Sequence, residues 1–475
     1  MQYPQLLFIS DCYKYTHAAM YPNNVDEVYS LLYCRKPRLP LESLNGHIVA
    51  FGMRQAINKL QSLYDEFIQW DRKKLEEGLR LLYADFMKLN PNDTSYKFLI
   101  DKWLTLPKVM PITFRAIPEG TFVANNTPII SMHCAESKHC WFVNFIETYL
   151  NSMLWKTCFV ATQAAIFKRI EYDCLGYYLD ESFNFHDFSA RGMNGIMDCY
   201  NSGVGHVLFF SGTDSIMALQ NVYENYGGNV SMLGSIPASE HSVMCLGGQA
   251  NELNTFKHIM QQFPNDMVSI VADTWNLWDI IESLKRDKDA YNLISSRLKP
   301  IVLRPDSGDP FLILTGDENS QDSRAKKGVI RLVNEYFGFD KVRIIYGDAI
   351  STERAQKIYE WCKQNGYNPT EFLCLGVGSY AYNSGIRDDV GLVTKMTWAK
   401  IGGKPTHLIK NPITGNEKMS LSGQVSLDKD TREVTQFLDS TPENDLLNTD
   451  LALPNFEHIR EYVKKEFLRA INHKG

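Results

Sequence analysis

Nowhere in the 475 residues does an apolar run approach the roughly 18 positions that a membrane span requires. The one apolar patch near the N-terminus, Leu6-Leu7-Phe8-Ile9, is broken at once by Ser10 and Asp11, which is too short for a secretory signal. A cytoplasmic chain without membrane contact is therefore expected. CxxC pairs are missing as well: ten cysteines are scattered singly from Cys12 to Cys374 and read as thiols of a reducing compartment, not as a disulfide framework. The only local cluster, His133-Cys134 with His139-Cys140, lacks the tight ligand pairs of structural zinc. A strand leading into the apolar helix 141–154 accounts for it. There is no basic block and no arginine-rich tail, and the formal charge is −6, so nucleic acid is not an expected partner. Local basic clusters remain suited to a small phosphorylated ligand.

What is present is ordinary globular composition, 44% hydrophobic and 22% charged, in a chain long enough for two or three domains. From Phe51 to Leu89 apolar residues recur at three and four, as in Ile57, Leu60, Tyr64 and Phe67, which predicts helix. From Lys108 to Met132 proline and glycine punctuate a β-like stretch. The middle of the chain then repeats one pattern, a short apolar run, a polar or glycine residue, and an amphipathic helix. The runs are Phe183 to Phe188, Val207 to Phe210, Met267 to Ala272, Ile301 to Leu303, Val342 to Tyr346 and Phe372 to Leu375, with a weaker one at Val230 to Leu233. The last four end roughly 30 to 45 residues apart, the size of a βα unit, and such a series predicts an irregular parallel α/β barrel. After about Arg387 the series stops. Thr394 to Leu427 reads as hairpin-like strands with turns at Gly402-Gly403 and Pro412 to Gly415.

In a βα barrel the loops after the strands share one face, and active sites form there. The residues at these ends are Asp214, Asp273, Arg304, Asp306, Asp348 and several glycines. Gly376-Val-Gly378-Ser-Tyr-Ala381 fits the G-x-G-x-x-A dinucleotide pattern, but no acidic residue stands about 20 positions on to hold a ribose. Glycine there suits close approach of backbone N–H groups to one phosphate, with Gly347-Asp348 as a second side of the cradle; tight turns alone are the other reading. Either aspartate alone reads as a helix N-cap. With Arg304 beside them, Asp273 and Asp306 become candidates to hold ribose hydroxyls and Mg²⁺ while the guanidinium meets a pyrophosphate. His241 lies next to Glu240 in a proline-containing loop, where a nucleophilic or acid/base role is compatible with the spacing without following from it. No Walker A sequence, HExxH or GxSxG elbow is present.

Several segments in one order now carry a resemblance that runs nearly end to end. They are Ser10-Asp-Cys-Tyr13-Lys14-Tyr-Thr-His17, Cys34-Arg35, Asn144-Phe-Ile-Glu-Thr148, His186-Asp-Phe188-Ser-Ala-Arg191-Gly192, Gly212-Thr-Asp214, Ile236-Pro-Ala-Ser-Glu240-His241-Ser242, Arg304-Pro-Asp306-Ser-Gly308 and Gly347-Asp348. The chain resembles the nicotinamide phosphoribosyltransferases, type II phosphoribosyltransferases. The resemblance implies a barrel over 151–387, a discontinuous α+β domain from 1–150 and 388–475, and a homodimer with shared active sites. It implies joining of nicotinamide to phosphoribosyl pyrophosphate with Mg²⁺, in NAD salvage, and ATP as an optional coupling substrate that phosphorylates His241.

By the same resemblance, Phe188 and the partner subunit's Tyr13 would sandwich the pyridine ring. Asp214 would accept the carboxamide N–H, with Arg191 and Ser235 nearby. Arg304, Asp306 and Asp273 would handle ribose, pyrophosphate and magnesium. Gly347, Asp348 and Gly378 would hold the ribose phosphate region with Arg387 and Lys395 reaching in across the dimer, and Arg35 and Lys410 would meet the pyrophosphate. Two departures stand out. Val393 occupies a position where the family usually has serine, so one phosphate hydrogen bond is missing or comes from Thr394. The lysine-rich loop after Lys410 is reduced to Lys418. The nearest rival is nicotinate phosphoribosyltransferase, against which Asp214 argues, because two carboxylates facing each other in a desolvated site cost several kcal/mol. A non-catalytic homologue would be expected to lose Asp306, Arg304 or His241, and all three are intact. A general sugar-phosphate barrel enzyme would need a strand-end lysine for Schiff-base work.

Overall fold

The computed structural model describes residues 2–410, 420–427, 434–437 and 455–472. The chain forms two compact units, one from Met1–Ala161, Tyr223–Gly228 and Gly385–Gly475, the other from Thr162–Val222 and Asn229–Ser384. The long helix Glu147–Leu175 contains the first boundary.

The unit centred on the middle of the chain is a curled parallel sheet of six strands. In spatial order they are Gly212–Thr213, Phe185–Asp187, Leu373–Val377, Val342–Tyr346, Ile301–Arg304 and Val268–Val271. The strands are short and rich in β-branched residues, and those at Val268–Val271 are buried throughout, as expected where helices cover a parallel sheet. The intervening helices are amphipathic. Leu277–Arg286 buries Leu277, Ile280, Ile281 and Leu284, and Asn276 caps it by accepting from the N–H groups of Trp278 and Asp279. Parallel pairing brings strand ends to one side, so Val271 lies opposite Arg304 and Tyr346 opposite Leu375. Between the two edge strands runs the irregular segment 234–239. It bridges Gly212 through Gly234 on one side and Ser269 through Ala238 on the other.

Two expected strands are not strands, and the weaker of them, Val230 to Leu233, is irregular. Val207 to Phe210 falls on the 3₁₀ turn His206–Leu208, and the pairing residues are Gly212–Thr213. The cause is His206, whose ring bonds the Tyr382 hydroxyl at 2.6 Å and the Gly212 carbonyl at 2.9 Å, coiling the run before the sheet begins. The run is apolar because it is fully buried, which periodicity alone does not separate from a strand.

The second unit joins the two halves of the chain in one antiparallel sheet. Its order is Lys404–His407, Leu392–Ile401, Val25–Cys34, Pro128–Cys134 and Thr113–Ala116. Val25–Cys34 pairs with Leu392–Ile401 over nearly its whole length. The expected helix after Phe51 is present as Met53–Gln69 and Arg72–Arg80. Trp103 packs edge-on against Trp141 and Phe145, with ring centroids 5.0 and 4.8 Å away. The C-terminal helix Phe456–Asn472 buries Phe456, Ile459, Val463 and Phe467, and a Cβ on Gly120 would lie 2.2 Å from Val463. The Gly402-Gly403 turn has both residues at positive φ, while the Pro412 to Gly415 turn and Lys418 lie outside the described residues. His133-Cys134 ends a strand and Trp141–Phe145 is helical. No helix among the described residues is long and apolar enough to cross a membrane.

Candidate active site

At the carboxyl ends of the parallel strands the aspartates, Arg304 and the glycines meet. Asp273 follows the Val268–Val271 strand, and its side chain is only 5% exposed. Its Oδ2 accepts from the Asp306 N–H at 2.8 Å and from the Ser307 hydroxyl at 2.5 Å. Its Oδ1 lies 3.2 Å from His241 Nε2. One carboxylate therefore brackets His241 and the loop after Ile301–Arg304. Asp273 was expected to help hold ribose hydroxyls and magnesium, and both of its oxygens have partners within the protein. Asp306 is the more available carboxylate. Gly347 is glycine because a Cβ there would come 2.4 Å from Asp306 Oδ1. The loop is tied further by the Tyr346 hydroxyl, which donates to Gly308 O at 2.9 Å. Arg304 Nε is buried with no hydrogen-bond partner among the described residues. Such a donor favours an anionic ligand.

A second group forms around Phe188 and Asp214. The Phe188 N–H donates to Val377 O at 2.9 Å, which sets its loop on the neighbouring strand. Asp187 is buried, and its Oδ1 accepts from the Ser189 N–H at 2.8 Å, turning the chain directly after Phe188. Gly376 clears room for the ring, since a Cβ there would lie 2.5 Å from it. The missing side chain of this glycine makes room for an aromatic one. Gly378 faces open space, and Asp348 is exposed next to Ala349 at φ 53°. Arg191 is exposed on the 3₁₀ turn Ala190–Gly192.

Asp214 Oδ1 lies 2.9 Å from His186 Nε2 and also accepts from the Ser235 hydroxyl. Burial works to raise the Asp214 carboxyl, but these two hydrogen bonds, with the charges of His186 and Arg304, hold it below the usual carboxylate range. It is an ionised acceptor, with no donor to Oδ2 among the described residues. Ser235 reaches it because the irregular 234–239 segment lies next to Gly212. A cavity of about 440 Å³ is lined mainly at the amino ends of the strands, by Phe183, Asn184, Met267 and Phe372 among others, and reaches His186 and Ser235.

The other unit gathers the remaining cations. Arg35 follows the strand Val25–Cys34, and its N–H donates to Gly391 O at 2.7 Å. The Lys395 ammonium is held below the ordinary lysine range chiefly by burial. Arg35, Lys410 and Lys14 add to this, and Glu147 opposes it. Four basic side chains around one acidic one make an anion-seeking patch. Lys14 was not singled out as a site residue; it is 4% exposed and its Nζ is 2.7 Å from Glu147 Oε2. Thr148 donates to Asp11 at 2.6 Å and Ser10 to Phe145 O at 2.6 Å, so the segment carrying the exposed Tyr13 is pinned at three points. Arg387 is paired with its neighbour Asp388 at 3.1 Å. Val393 packs on the cluster of Tyr29, Leu31, Tyr33, Trp398 and Val425, and the buried Thr394 hydroxyl accepts from Asn151 at 2.9 Å.

Sequence reasoning missed His186 and Ser307 as site side chains. His186 stood inside a quoted motif without a role, and Ser307 follows Asp306 in another. For cation binding, no group of three or more His, Cys, Asp or Glu side chains is preassembled among the described residues. Asp306, with Asp273 behind it, fits a magnesium ion that takes its other ligands from phosphates and water.

Residues 183–449 match the Nicotinate phosphoribosyltransferase (NAPRTase) family, and residues 5–109 match the Nicotinamide phosphoribosyltransferase N-terminal domain. A nicotinamide phosphoribosyltransferase of Acinetobacter baylyi is 32% identical over 457 residues, covering 90% of this chain and 89% of the relative. One of Mycoplasma pneumoniae is 30% identical over 88% of this chain and 94% of its own. Among solved structures, human nicotinic acid phosphoribosyltransferase aligns with a TM-score of 0.58 at 16% identity, over 97% of this chain and 94% of that one. At that identity the likeness speaks for the fold alone.

Proposed function

The chain belongs to the nicotinate phosphoribosyltransferase (NAPRTase) family and is a phosphoribosyltransferase; from that premise we propose that its acceptor is nicotinamide, converted with phosphoribosyl pyrophosphate to nicotinamide mononucleotide and pyrophosphate in NAD salvage. The observation that carries the choice of base is Asp214, an ionised carboxylate with one oxygen taken by His186 and Ser235. An ionised carboxylate only accepts hydrogen bonds, so it suits a carboxamide N–H and repels a carboxylate.

The pyridine nitrogen carries its own lone pair, so the reaction needs no general base. The nitrogen attacks the anomeric carbon, the C–O bond to pyrophosphate breaks, and its electrons leave with the pyrophosphate. Phe188 supplies one face for the ring, and the partner subunit's Tyr13 the other, in a homodimer with shared sites. Asp214 sets the rotation of the ring, which aims the nitrogen. Arg304, with its buried unpaired Nε, meets the negative charge of the leaving pyrophosphate. Asp306, with Asp273 behind it, would hold Mg²⁺, which when bound neutralises charge on that leaving group. Arg35, Lys395 and Lys410 offer further positive charge for phosphates, as does Arg387 once released from Asp388. His241 is the candidate phosphoryl acceptor from ATP. With Nε2–H donating to Asp273, its Nδ1 keeps the lone pair that would attack the γ-phosphorus, and ADP leaves.

The test supplies phosphoribosyl pyrophosphate and Mg²⁺ with nicotinamide or nicotinate in separate tubes. Mononucleotide from the amide alone is expected. Turnover of nicotinate instead would keep the reaction class and overturn the base. No product from either, with ATP present, would point to a binding-only homologue.

A further inference from the structure

Asp214 is more than a carboxylate at a strand end. His186 stands behind it on the strand Phe185–Asp187, 5% exposed, with Nε2 2.9 Å from Asp214 Oδ1. The imidazole is boxed on other sides too. The backbone of Gly212 lies flat against it, since a Cβ there would sit 2.6 Å from Nδ1 and 3.2 Å from Cγ. The Phe188 ring lies 4.7 Å away at a 37° tilt. Gly212 and His186 are cross-strand partners in the parallel sheet, so the sheet itself holds donor and acceptor together. The same ring touches both groups that would read the base, the aromatic face and the carboxylate, and it also lines the cavity.

We propose that His186 is a specificity-positioning residue, which selects the base's carboxamide by holding Asp214 in one rotamer with Oδ1 filled and Oδ2 open to an N–H donor. This rests on Asp214 being the group that reads the base. The physical logic is that burial favours a neutral Asp214, and a neutral carboxyl would donate as well as accept. A donated hydrogen bond from Nε2 keeps it an acceptor only. Ser235 contributes to the same oxygen, but from an exposed position on the irregular 234–239 segment, whereas His186 is buried in the sheet. Without the imidazole, Asp214 regains rotational freedom, and the discrimination between amide and acid falls.

The experiment measures kcat/KM for nicotinamide and for nicotinate in the full chain and in His186→Ala, His186→Gln, Asp214→Asn and the double variant His186→Ala with Asp214→Asn. His186→Ala is expected to lower the amide-to-acid ratio by about tenfold or more, while KM for phosphoribosyl pyrophosphate stays within about twofold. His186→Gln, which keeps an N–H donor, restores most of the ratio. In the Asp214→Asn background the His186→Ala change alters the ratio by less than about twofold, because the effect runs through Asp214. Equal losses on both bases, or additive effects in the double variant, would overturn the proposal. An arm without turnover uses ¹⁵N-histidine NMR, the His186 signals being those absent from His186→Gln. A proton on Nε2 is expected, and an Nδ1–H tautomer with Nε2 bare would sink the idea. If the unmodified chain uses neither base, the functional reading fails, and the tautomer result still decides the His186–Asp214 bond.

Discussion

Asp273 shows how one side chain can organise a site without being its reagent. It holds His241, the Asp306 N–H and the Ser307 hydroxyl on two oxygens. Asp273→Asn keeps the shape but turns one oxygen into a donor facing another donor. Charge-assisted hydrogen bonds of this kind contribute about 1.5–3 kcal/mol each, so kcat should drop by about tenfold to a hundredfold while the melting temperature changes little. Steady-state kinetics with and without ATP, alongside thermal melting, checks this; a large loss of melting temperature would mean the bracket is mainly structural. Glu119 is a residue of the other kind. Burial pushes its carboxyl up to about 7, against hydrogen bonds from the N–H groups of Arg54 and Gly52 that hold it down. The folded state therefore keeps a proton that the unfolded chain loses near 4.5. The stability from this group is fully present below that value and is lost as pH rises through about 7. Denaturant titrations at several pH values should show that decline, and Glu119→Gln should flatten it.

Among the elements, the Leu373–Val377 strand and the 3₁₀ helix Cys12–Ala19 each carry a prediction. Gly376→Ala would push a methyl group to within 2.5 Å of the Phe188 ring. The same methyl group would lie 2.9 Å from Gly347 Cα, so the ring and the neighbouring loop must both shift; KM for the base should rise by about tenfold. Unchanged KM for the base would show that Phe188 does not seat it. In Cys12–Ala19 the Lys14–Glu147 ion pair, 4% and 28% exposed, pins the element under Tyr13. Lys14→Met should cost about 1.5–3 kcal/mol locally and raise amide hydrogen exchange over residues 10–19 above other segments. Exchange that rises uniformly would mean that the pair stabilises the whole fold instead.

For the whole molecule, the reading places Tyr13 and Phe188 from different subunits in one site. Tyr13→Ala and Phe188→Ala chains should each be nearly inactive alone. Mixed and allowed to exchange subunits, half of the dimers would be hybrids with one intact site, so about a quarter of the activity should return. No recovery despite subunit exchange, shown by mass spectrometry, would put both residues in one subunit's site or remove one of them from it.

Much of this was legible in the residues. Five of the central apolar runs lie on strands, four of them because short β-branched segments buried on both faces pack few other ways. The strand-end identities of Asp214, Asp273, Arg304 and Asp306 follow from the same periodicity. Hydrogen bonds between segments far apart in the chain were not legible. Val207 to Phe210 coils because His206 finds Tyr382, 176 positions away. Gly376 reads locally as part of a phosphate loop, yet its missing Cβ makes room for Phe188. Asn151, 243 positions away, donates to the Thr394 hydroxyl, a partner that spacing does not show. The sequence by itself determined most of the segments that become strands and helices and which chemistries stand at their ends, since those depend on spacing and residue type. Only the tertiary structure decided which oxygen of each carboxylate is already filled, because that depends on donors brought near by the curl and register of the sheet.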